Sequence, residues 1–175
     1  MTEKEKESVI VAKKQTDEVA LDFSEVKPFE ALSEEPLYKC RVDKLENGTA
    51  RSSGADVSNL ELVIVSPEEV QGVETIIGSD GKARVGDFME DAEGKPIMVK
   101  AAGRRLFRTY TLESRALPFL HEFIKAADPT KELGKDFIYR PAEYVGLEVG
   151  VRIKNEAYEE QVRARVHRIV AAPSS

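Results

Sequence analysis

The sequence predicts a mainly β protein: five strands with a single helix set between the third and the fourth. Three observations carry that expectation. Four segments alternate apolar and polar side chains with the period of two that a half-buried strand requires. Only the stretch after Ser114 shifts to helical spacing. Stretches rich in Gly, Ser, Asn and Pro separate these segments, as turns and loops do.

Residues 1–27 form a charged N-terminal arm broken by two short apolar patches, Val9–Val11 and Val19–Phe23. A terminus of that composition is expected to be solvated or to wait for a partner. After an irregular lead-in from Pro28 to Pro36, the segment Leu37–Leu45 alternates cleanly. Tyr38, Cys40 and Val42 fall on one face, and Lys39, Arg41 and Asp43 on the other. This is the first strand. The loop Glu46–Ser58 follows, and Leu60–Val65 is the second strand, stopped by Ser66-Pro67.

Residues 66–100 read as an insertion of hairpin-like excursions, punctuated at Gln71-Gly72, Gly78–Gly81 and Glu93-Gly94. The third strand is the Arg104–Leu112 segment. Leu106, Arg108, Tyr110 and Leu112 share one face; Arg105, Phe107, Thr109 and Thr111 share the other. From Ser114, a good N-cap type, the residues Leu117, Leu120, Phe123, Ile124 and Ala127 recur at helical spacing. Pro118 is tolerated in a first turn, and Asp128-Pro129 ends the helix. A connection over Pro129–Pro141 offers Phe137, Ile138 and Tyr139 for packing. The last two strands form a hairpin: Leu147–Lys154, a turn over Asn155–Glu160, and Gln161–Val170.

Five strands with the one substantial helix between strands three and four is the layout of the OB-fold, a small Greek-key barrel that binds oligonucleotides or oligosaccharides. An antiparallel sandwich or an α+β sheet would use the same elements. The expected organisation is an arm over 1–27, an OB-like domain over 28–172 with the insertion at about 66–100, and a short tail at 173–175.

Composition narrows the function. The chain has 175 residues, 41% hydrophobic and 33% charged, which suits one globular domain with a charged surface. No apolar run approaches the roughly 20 residues that cross a bilayer, and the N-terminal MTEKEKESVIVAKK lacks the apolar region of a signal peptide. The lone Cys40 cannot form an intrachain disulfide and is expected to be a buried thiol in a reducing cytoplasm. Net charge is −6, unevenly placed: −5 in residues 1–35, −4 in 66–100 and +3 in the remainder. Local charge governs the grip on a polyanion.

The chain resembles the phage-encoded single-stranded DNA-binding proteins of OB-fold type. The resemblance runs from about Val26 to Ala172 and rests on KPFEALSEEPLYKCRVDKL, on a Gly/Ser loop before NLELVIV, on GRRLFRTYTL followed by an apolar helix ending in KAAD, and on VGLEVGVRIKNEAYEEQVRARVHRIV. It implies non-catalytic binding of single-stranded DNA in phage replication or recombination, in the cytoplasm of a host cell. Residues 66–100 are longer and more acidic than that layout needs, and the C-terminal AAPSS lacks the acidic tip with which many such proteins recruit partners.

Binding a single strand takes cations that follow the backbone and flat side chains on which bases stack. The sequence offers Lys39 and Arg41 on strand one, Arg51 in the first loop, and Arg104, Arg105, Phe107, Arg108 and Tyr110 on strand three. Arg152 and Lys154 on strand four face Arg163 and Arg165 across the hairpin, with Tyr158 at its turn. Because alternation separates Phe107 from Tyr110, at most one of them is expected to reach the groove. The hairpin cations also have a bland reading, a solvated face paired with Glu148, Glu159 and Glu160.

No enzyme, cofactor or metal is expected. His121 and His167 have no ligand-spaced partner, and GxxxxGK[ST], GxSxG and HExxH are all missing. The rival expectation is a structural or interaction protein, a virion decoration or assembly component or an inhibitor of host defence, that uses the barrel for protein contacts. The arm could serve self-association or replication and recombination partners.

Overall fold

The computed structural model describes residues 18–21 and 30–174. Most of the arm expected over 1–27 lies outside them; within it, Val19 and Leu21 are exposed.

Among the described residues the fold is mainly β, with two antiparallel sheets and one α-helix. The larger sheet is built from β2 (Tyr38–Thr49), β3 (Asp56–Ser66), β7 (Arg105–Thr111), β8 (Glu148–Tyr158) and β9 (Gln161–Ala171), in the order β7-β3-β2-β8-β9. These are the five strands expected from sequence, and the helix α1 (Leu117–Ala127) falls between the third and fourth of them. The two outermost strands, β7 and β9, approach within 8 Å between Cα atoms. No ladder joins them among the described residues, so closure into a barrel is not seen.

Alternation sets the faces of this sheet. Tyr38, Cys40, Val42, Leu60, Leu62, Leu106, Val149, Val151 and Ile153 point inward and are buried. Leu120, Phe123 and Ile124 of α1 pack against them. Phe123 is the hub: its ring lies 5.8 Å from Tyr110 and 5.9 Å from Tyr144, centroid to centroid. Fully burying a side chain of this size contributes about 1.5–3 kcal/mol toward holding the helix over the sheet.

Three boundaries differ from the sequence expectation, one of them in the last hairpin, where β8 continues through residues 155–158 and the expected turn over Asn155–Glu160 shrinks to 159–160. The first hairpin is longer, because β2 continues through Glu46–Thr49 and pairs Thr49 with Asp56; the connecting turn shrinks to 50–55. Cross-strand pairing outweighs the local turn preference of Asn, Gly and Ser there. Ser114 does not cap the helix either. It opens a 3-10 turn, Ser114–Ala116, and α1 begins at Leu117 with no side-chain cap.

The insertion forms the smaller sheet. Its central strand β4 (Glu69–Ile77) pairs with β5 (Ala83–Phe88), β6 (Met98–Lys100) and the short β1 (Ala31–Leu32). Ala31, Val73 and Ala83 meet Val162 of β9 in a second, small core. The insertion and the lead-in thus cover one end of the β8–β9 hairpin.

Candidate nucleic-acid interface

The outward residues of β7 are Arg105, Phe107 and Thr109. Register places them opposite Val63, Glu61 and Asn59 of β3. Phe107 is 66% exposed, so its ring stands on the sheet surface. Tyr110 takes the other face. It is buried against Phe123, and desolvation pushes its hydroxyl above its ordinary pKa. Of the two aromatics, Phe107 is the surface one, and Tyr110 belongs to the core.

The three arginines of this stretch have separate fates. The Arg104 guanidinium is half-buried and donates to the carbonyl oxygens of Lys100 (2.9 Å) and Glu30 (2.8 Å). Arg105 donates to Asp43 Oδ2 at 2.6 Å and to Glu61 Oε1 at 2.7 Å. That hydrogen bond from Arg105 holds the Asp43 carboxyl below the usual carboxylate range. Arg108 shares the inner side with Leu106 and Tyr110, and its guanidinium lies 5.1 Å from the Tyr110 centroid and 5.6 Å from that of Phe119 on α1. The dense cationic cluster that the sequence suggests is therefore divided: Arg104 ties down the lead-in, Arg105 is neutralised by two carboxylates, and Arg108 joins β7 to the helix.

The hairpin is less committed. Lys154 of β8 pairs in register with Arg165 of β9, and both are exposed. Arg165 forms an ion pair with Glu156 at 2.8 Å, part of the solvated pairing weighed from sequence, though with a different acid from those named there. Arg152 donates to the Glu35 carbonyl oxygen at 2.8 Å. Arg163 makes no ion pair among the described residues and lies over the exposed ring of Tyr158, 5.4 Å from its centroid. Tyr158 and Gln161 close the hairpin around Glu159 and Glu160. Elsewhere, Lys39 is half-buried on β2, Arg41 is 4.0 Å from Asp43, and Arg51 is exposed in the 50–55 turn.

A cleft brings the two halves of this surface together. It encloses about 350 Å³ between β7 and β9 and is lined by Arg104, Arg105, Leu106 and Phe107 on one side and Val162, Arg163 and Ala164 on the other. Ala31 and Leu32 of β1 complete it. Phe107 and Arg163 thus line one opening, which sequence spacing alone did not indicate. Asp43 and Glu61 were likewise missed as neutralisers of Arg105. Asp43 was on the outward face of its strand, but only the strand register brings all three together.

Among the described residues, no three His, Cys, Asp or Glu side chains converge to hold a metal ion. Nor is any described helix long and apolar enough to cross a membrane. The chain matches no protein-family model and no curated protein.

Proposed function

We propose that this chain binds single-stranded DNA without catalysis, through an OB-like barrel whose gripping surface spans the β7–β9 cleft, and that it serves phage replication or recombination. The strand order β7-β3-β2-β8-β9, with α1 between the third and fourth of these strands in the chain, supports the OB-like reading. The observation that carries the proposal is Phe107, a large aromatic ring left exposed on a sheet face beside guanidinium groups. An exposed ring next to cations is what a base stacked on protein and a phosphate alongside it require. The test is a fluorescence titration of labelled oligo-dT across about 50–200 mM salt. Tight, length-dependent binding that weakens with salt is expected. The absence of binding at the low-salt end refutes the proposal.

A second reading, a structural or interaction protein, draws on a different observation. The smaller sheet exposes Ile77, Val85, Phe88 and Met98, and Val85 and Phe88 line one shallow site; exposed apolar side chains that adjoin one another mark protein contacts. Failure to bind oligo-dT, together with salt-insensitive self-association that is lost on changing Phe88 and Met98 to polar residues, would favour it.

A further inference from the structure

We infer that the cleft between β7 and β9 is a pocket for one nucleobase turned out of the bound strand; this rests on the single-stranded DNA reading above. The two strands are the edges of the larger sheet, each paired on one side only among the described residues. Unpaired edge strands present backbone N–H and C=O groups, and here two such edges face each other across a gap. The interior is apolar: Leu32, Leu106 and Val162 are all buried. The mouth carries exposed Phe107, Arg105 and Arg163.

A flat heterocycle with apolar faces and a polar edge suits that combination. Its faces meet the aliphatic walls, and its edge meets backbone groups of the strands. The phosphates stay outside, where Arg163 has no carboxylate partner among the described residues. At about 350 Å³, the low end of the roughly 300–1,000 Å³ of small-ligand pockets, the cleft has room for a base. An acidic peptide added as a strand is the competing occupant. It would need a long run of unpaired edge, whereas the cleft engages only 105–107 of β7 and the residue before it, and 162–164 of β9.

The probe is the shortest oligo-dT that retains full affinity, so that its register cannot slide, with a single abasic residue placed at each position in turn. One position is expected to weaken binding by about tenfold or more, the loss of one stacked base, with small effects elsewhere. Ala164→Leu, which fills the cleft from β9, should weaken intact oligo-dT and make that position indifferent to base removal. A flat abasic profile with intact oligo-dT still bound overturns the pocket and leaves the DNA-binding reading standing. So does a sensitive position that stays sensitive in the Ala164→Leu chain. Displacement of bound oligo-dT by a short acidic peptide together with a flat profile assigns the cleft to a peptide instead. Loss of all oligo-dT binding by the unaltered chain overturns both readings.

Discussion

Phe107→Ala removes a ring that the fold hardly uses and that the proposed function needs. About a third of the side chain is buried, given its 66% exposure, and full burial of a phenylalanine is worth about 1.5–3 kcal/mol. The stability cost should therefore be about 0.5–1 kcal/mol. The same ring, as a stacking platform, should contribute about 1–3 kcal/mol per base. That range converts to a loss of about 5- to 150-fold in affinity for oligo-dT. The assay is fluorescence anisotropy of labelled oligo-dT, run beside thermal melts of both chains, with Phe107→Tyr as the control that keeps an aromatic face. An unchanged Kd for Phe107→Ala, with the melt also unchanged, would refute the reasoning. Equal losses in the Tyr and Ala chains would refute it too, because stacking survives a hydroxyl.

Three further outcomes follow from the geometry. Asp43→Asn with Glu61→Gln releases Arg105 from its two carboxylates, so oligo-dT should bind more tightly and the salt slope should steepen by about 0.7, the value of one added phosphate contact on a single strand; an unchanged slope in the titration would mean that Arg105 does not meet the backbone. Arg108→Ala should lower stability by about 0.5–2 kcal/mol, through loss of its contacts with Tyr110 and Phe119, and should leave the salt slope unchanged; denaturant melts and the same titration check both. Burial pushes the Cys40 thiol from 9.0 to about 12, so the unfolded chain gives up this proton first. Stability is fully present below pH 9.0 and declines as pH rises toward about 12, by at most about 1.4 kcal/mol per pH unit from this group. Denaturant melts across that range should show a shallower decline in Cys40→Ala.

Much of the fold was legible because burial follows alternation. Tyr38, Cys40 and Val42 read as inward residues and are buried, and the change of period from Ser114 located α1. The same logic placed Arg108 on the face of Leu106 and Tyr110, where it lies. Grouping it with Arg104 and Arg105 by sequence proximity was the error, since neighbours along a strand point to opposite sides. The surface chemistry was less legible, for a physical reason. Whether an arginine is available depends on its neighbours across the sheet, and register is a long-range property that the order of residues does not state. Glu61 sits 44 residues from Arg105 and yet accepts its hydrogen bond. The cleft has the same origin: it joins β1, β7 and β9, three segments far apart in sequence.

The most direct measurement is an amide chemical-shift titration of the isotope-labelled chain with a short oligo-dT at low salt. The account predicts saturable shifts concentrated on β7 around Phe107 and on β9 around Arg163, with the Tyr158 turn included and α1 quiet. Shifts confined to the smaller sheet or the helix, or none at all, would contradict it.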